Sequence, residues 1–139
     1  MLRAACHCAA VRLEVARPPD WVIDCNCSLC RRYGALWAHY RPVEVMFVAG
    51  EDHTDAYVWG ESSFAFHRCR TCGCLTHHTA LDAAPPRLRA VNVRMMPALD
   101  PASVKLQHTD NAHTGFFWTR SPDKLQHGEQ AAADPDGWR

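Results

Sequence analysis

The sequence predicts a mainly β fold with short helical turns, and three observations carry that prediction. Short segments alternate apolar and polar residues, as in Val11-Arg12-Leu13-Glu14-Val15, with the two-residue period of a half-buried strand. Little of the chain carries the longer period of a helix. The eight cysteines all fall in three tight clusters, Cys6-His7-Cys8, Cys25-Asn26-Cys27-Ser28-Leu29-Cys30 and Cys69-Arg70-Thr71-Cys72-Gly73-Cys74, which pin such strands together.

Taken in order, the strand from Val11 to Val15 is closed by Pro18-Pro19. Leu36-Trp37-Ala38-His39-Tyr40 and Val45-Met46-Phe47-Val48 are aromatic or β-branched and separated by Arg41-Pro42, so they are expected as neighbouring strands. Tyr57-Val58-Trp59 and Phe64-Ala65-Phe66-His67 flank Gly60-Glu61-Ser62-Ser63, a hairpin signal. Leu75 to Thr79 leaves the third cysteine cluster as a strand, which puts Cys69 to Cys74 on a knuckle between two strands. Leu88 to Val93 and Val104 to His108 add two more. Helical turns are expected at Ser28 to Tyr33, with Asn26 or Ser28 capping and Gly34 terminating, and at Asp100-Pro101-Ala102-Ser103. Phe116-Phe117-Trp118 is expected as a last strand, after a loop from Asn111 to Gly115.

One domain is expected over residues 1–125, with 126–139 a poorly ordered tail in which the apolar pattern is lost. The 139 residues are 47% hydrophobic, enough for a modest core. Lys and Arg number 15 and Asp and Glu also 15, so no net field favours nucleic acid or an anionic membrane. No apolar run approaches the roughly 20 residues needed to span a bilayer. Met1 to Ala5 runs into Cys6 without a signal-like apolar stretch, so a reducing cytoplasmic location is expected.

In that setting clustered thiols point to metal before disulfides. Four thiolates complete a tetrahedral zinc site with sulfurs about 2.3 Å from the ion, and eight suffice for two. The C-x-x-C spacing occurs at Cys27/Cys30 and at Cys69/Cys72, and Gly73 permits the sharp turn beside the second of these pairs. Several partitions of three clusters between two ions are open. The simplest gives Cys25, Cys27 and Cys30 to one ion and Cys6, Cys8, Cys69 and Cys72 to the other, leaving Cys74 to face the middle site.

The clusters in this order, with Ala-Ala-Val-Arg-Leu-Glu-Val after the first, Arg-Arg-Tyr-Gly-Ala after the second and Phe-His-Arg before the third, resemble the glutathione-dependent formaldehyde-activating (Gfa-like, centromere protein V) family. The resemblance runs from about Cys6 to Val93. It implies an Mss4-like zinc-bound β-sheet domain holding two zinc ions. The family's structural zinc carries over onto Cys6, Cys8, Cys69 and Cys72, and its catalytic zinc onto Cys25, Cys27 and Cys30. The implied activity is that of a carbon-sulfur lyase resembling S-(hydroxymethyl)glutathione synthase, in which a zinc-activated thiol such as glutathione adds to formaldehyde or a related aldehyde. Two residues past a ligand in a tight knuckle, Cys74 can equally point into the core as a small hydrophobe; if it ligates the middle site, four thiolates close it and a binding module with two structural zincs becomes the alternative.

The remaining residues have plainer readings. Arg31, Arg32, Arg68 and Arg70 flank the thiols; each is expected mainly as a solvated charge, with at least one expected to serve the metal sites by offsetting thiolate charge or holding a carboxylate of a glutathione-like ligand. Among nine histidines, His7, His67, His77 and His78 are expected as surface or packing groups, with His39 and His108 weak candidates for proton transfer. Trp37, Tyr40, Phe47, Trp59, Phe64 and Phe66 are assigned to the core.

Overall fold

A computed structural model of the chain describes residues 1–58, 64–81, 88–111 and 116–118. Within them eleven strands form two sheets. The small sheet has the order β1-β2-β5, from Leu2–Ala5, Arg12–Val15 and Val45–Ala49. The large sheet has the order β11-β10-β3-β4-β9-β8-β7-β6. Its strands are β3 (Trp21–Cys25), β4 (Leu36–Tyr40), β6 (Thr54–Val58), β7 (Phe64–Cys69), β8 (Leu75–Ala80), β9 (Arg89–Asn92), β10 (Lys105–Asp110) and β11 (Phe116–Trp118). The mainly β, Mss4-like architecture expected from the sequence is the one observed.

Alternation along the strands sorts side chains between two cores. Val22, Ala38, Tyr40 and Val91 point from the large sheet toward Leu13, Val15 and Val45 of the small one, closing the main core between the sheets. The opposite face carries Ile23, Cys25, Trp37, Phe66 and Ala90, which form a second cluster with Cys30, Ala35 and Leu75. Most pairings are antiparallel, but β3 and β10 run parallel, with Cys25 level with Thr109.

Three expectations need correction. β4 and β5 are not neighbours, because a 3₁₀ turn at Pro42–Glu44 carries the chain from one sheet to the other; β4 pairs with β3 and β9, and β5 with β2. The helical turn is confined to α1 (Cys30–Tyr33), and neither Asn26 nor Ser28 caps it. Instead the Cys30 amide donates to Cys27 Sγ at 3.3 Å, a thiol in the role of a cap. Gly34 ends the turn at φ 62°, as expected. Phe64 is 42% exposed and so lies outside both cores. β1 and β3 were not expected; β3 offers only Trp21-Val22-Ile23 before Asp24, too short a pattern to stand out. Trp59, the turn at 60–63 and the tail at 126–139 lie outside the described residues.

Candidate metal centres and active site

The first cysteine group is built from two facing knuckles. After β1 the chain turns back on itself: the Cys6 amide donates to Val11 O at 3.0 Å and the Ala9 amide to Cys6 O at 2.9 Å, with Ala9 at a positive φ of 59°. Between β7 and β8 the Cys69 amide donates to Cys74 O and the Gly73 amide to Cys69 O, both at 2.9 Å, and Gly73 takes φ 73°. The sulfurs of Cys6, Cys8, Cys69 and Cys72 converge within 4.8 Å of one another. Cys6 and Cys8 Sγ lie 3.6 Å apart, and Cys8 and Cys69 Sγ 3.7 Å. A tetrahedron with sulfurs at about 2.3 Å from its centre has edges of about 3.8 Å, so the spacing fits a zinc ion. The Val11 amide donates to Cys6 Sγ at 3.3 Å, orienting the sulfur from outside.

The second group brings together Cys25 at the end of β3 with Cys27 and Cys30 around the start of α1, again within 4.8 Å. Each sulfur accepts a hydrogen bond. Cys27 accepts from the Cys30 amide at 3.3 Å, Cys30 from Trp37 Nε1 at 3.3 Å, and Cys25 from Asn111 Nδ2 at 3.2 Å. Asn26 holds the loop by donating to Asp110 Oδ1 at 2.8 Å, while its amide donates to Thr109 O at 3.2 Å. Hydrogen bonds first from Cys25 and then from Cys30 stabilise the Cys27 thiolate and bring its pKa down to about 2. The same contacts run the other way for its neighbours: Cys25 is raised, chiefly by Cys27, and Cys30 is raised by Cys25 and Cys27. Three soft donors within 4.8 Å of one another fit a zinc ion with one coordination position left for another ligand.

Cys74 belongs to neither group. Of the two places open to it, the middle site and the core, it takes the second and packs against the main core beside the four-thiol group. The tight knuckle is the reason, because the turn at Gly73 keeps Cys74 on the side of Cys72 and Cys6. There the His7 amide favours its thiolate, but desolvation and the neighbouring Cys72 outweigh it and raise its pKa. Within the same knuckle Cys72 is lowered to about 5, first by the Cys74 amide.

A sequence model of the glutathione-dependent formaldehyde-activating enzymes matches residues 1–114. The chain belongs to this family. A Rhodobacter sphaeroides protein of known crystal structure is similar at 32% identity, with a TM-score of 0.63, covering 76% of this chain and 99% of that one.

In this Gfa-like chain the arginines beside the thiols mostly serve other partners. Arg70 pairs with Asp55 at 2.9 Å, Arg68 reaches the same carboxylate at 3.9 Å, and Arg32 donates to Ser28 O at 2.8 Å. Arg31 is exposed. His7 is exposed, and His108 pairs with Asp24 at 3.3 Å. His67 is bonded to Thr54 and Thr79 and stacks on His77, with ring centroids 4.2 Å apart. Asn111 and Trp37 touch the thiols although the sequence marked one as loop and the other as core; a single asparagine in a turn and a tryptophan in a strand carry no signal of that contact. Among the described residues no helix is long and apolar enough to cross a membrane.

Proposed function

We propose that the protein is a zinc-dependent carbon-sulfur lyase of the formaldehyde-activating type, joining a small thiol to an aldehyde. The observation that carries this reading is the group of Cys25, Cys27 and Cys30, three sulfurs with no fourth protein donor among the described residues. Zinc held there would supply a Lewis-acid position at which a substrate thiol such as glutathione ionises near neutral pH.

The chain's own residues do the rest of the work. Amide, indole and carboxamide hydrogen bonds from Cys30, Trp37 and Asn111 fix the three sulfurs and moderate their charge. The substrate thiolate attacks the carbonyl carbon, a carbon-sulfur bond forms, and the carbonyl π pair moves onto oxygen. Oxygen then takes the proton that the thiol gave up, so the product is a hydroxyalkyl thioether; the reverse reaction cleaves the carbon-sulfur bond. The group of Cys6, Cys8, Cys69 and Cys72 is a structural zinc site in this reading, tying the start of the chain to the β7–β8 knuckle.

The rival reading, a binding module with both sites closed, requires Cys74 as fourth ligand of the middle group, and its packing beside Cys72 and Cys6 counts against that. The test is equilibrium exchange NMR of glutathione with formaldehyde. Exchange faster than the uncatalysed rate, lost in Cys30→Ser, supports the lyase; no acceleration with glutathione or any other small thiol overturns it.

A further inference from the structure

The three-thiol group stands at one end of a sheet face that its chemistry leaves unused. Cross-strand register places Ile23 opposite Trp37, His39 opposite Ala90, Ala90 opposite His78, His78 opposite Phe66 and Phe66 opposite Tyr57, all on this face. Its floor is rings. His78 lies 4.7 Å from Trp37, 5.1 Å from Phe64, 5.2 Å from Phe66 and 5.5 Å from His39, centroid to centroid. Its rim is also aromatic and open to solvent, with Trp21 40%, Phe64 42% and Tyr57 46% exposed.

Two polar groups in this floor lack partners. His78 is only 7% exposed, and the buried Nδ1 atoms of both His78 and His39 make no hydrogen bond. Native interiors pair such groups, and a buried nitrogen left unpaired beside a reactive centre calls for a partner that arrives with a ligand. Trp37 links the two features: its Nε1 donates to Cys30 while its ring borders His78. Trp37 thus touches both the thiol group and the imidazole.

We propose that this face is the carbonyl-side pocket of the lyase site and takes an aromatic aldehyde with a hydroxyl across the ring from its carbonyl, the hydroxyl pairing with His78. The inference rests on the lyase reading for its thiol half and adds the substrate class. Burial holds His78 and His39 neutral, with pKa values lowered to about 3 and about 4, so both rings suit an uncharged hydroxyl. The rings of the floor are uncharged; Asp55 and Arg68, level with each other two residues along from Tyr57 and Phe66, put charge only at its β6–β7 edge. Formaldehyde, one carbon long, would leave the face uncovered.

The experiment titrates the zinc-loaded protein, labelled with ¹⁵N in its histidines, with benzaldehyde and with 4-hydroxybenzaldehyde, and measures exchange of each with a small thiol alongside formaldehyde. The hydroxylated aldehyde should shift the His78 resonances and bind at least about tenfold more tightly than benzaldehyde. His78→Phe, which keeps the ring, should erase that preference while retaining benzaldehyde binding. Accelerated exchange of formaldehyde without binding of either aromatic aldehyde overturns this inference and leaves the lyase intact. Aromatic binding with no accelerated exchange of any aldehyde overturns the lyase reading and with it this substrate assignment.

Discussion

Trp37 Nε1 donates a hydrogen bond to Cys30 Sγ at 3.3 Å, from an indole that is almost fully buried. The contact joins the sheet to the three-thiol group, because Trp37 sits on β4 opposite Ile23 while Cys30 opens α1. Trp37→Phe keeps a ring in the core and removes the donor. Loss of one such outer contact costs roughly 10- to 100-fold in metal affinity. Chelator competition should show the middle zinc weakened by about that factor and the four-thiol zinc unchanged. Equal weakening of both sites would mean the indole acts through the fold alone.

Cys74 and Cys72 are two residues apart and should behave differently. Cys72→Ser removes a member of the four-thiol group, so one of two zinc ions should be lost and the melting temperature should fall sharply. Cys74→Ser should retain both ions, since Cys74 lies outside both groups. Metal analysis by mass spectrometry under native conditions checks both, and one zinc in Cys74→Ser would make that thiol a ligand.

Gly50 belongs to the same centre although it carries no donor. A Cβ built there would run into Ala10 O, in the knuckle that presents Cys6 and Cys8, and its φ is 74°. Gly34 is also left-handed, at 62°, but a Cβ there meets nothing within 4 Å. Gly34→Ala should therefore cost only about 1–2 kcal/mol, the ordinary penalty of that backbone region. Gly50→Ala adds a backbone clash and should cost more, about 3 kcal/mol or above, and loosen the first zinc. Urea unfolding of the two variants, side by side, checks the ranking.

Local chemistry was legible in the sequence, and long-range placement was not. The C-x-x-C pairs, the knuckle around Gly73 and the stop at Gly34 depend on neighbours within a few residues, and each formed as read. The grouping of Cys6 and Cys8 with Cys69 and Cys72 followed from counting thiols. Cys74 stayed open between the middle site and the core, because counting ignores the direction in which a turn aims each side chain. β4 and β5 were paired wrongly since alternation reveals a strand's faces but not its sheet. His78 looked like packing, and it is packed; only the register across β9, β8 and β7 shows it beside Trp37 with an unpaired nitrogen.

Buried imidazoles make acid stability the last expectation. His77 and His78 each have pKa values lowered to about 3, in both cases chiefly by desolvation, with repulsion from His67 and Arg89 adding to it at His77. In the unfolded chain the same groups titrate near 6.5. As pH falls through that value the unfolded chain takes up protons that the fold refuses. Stability is therefore full above about pH 6.5 and declines toward about pH 3, by up to about 1.4 kcal/mol per pH unit for each histidine. His78→Phe removes one of these protons without sacrificing a hydrogen bond, because its Nδ1 is unpaired. Urea midpoints between pH 7.5 and 5.5, at fixed free zinc, should fall less steeply for His78→Phe than for the native chain, and parallel slopes would show that His78 is not held neutral by the fold.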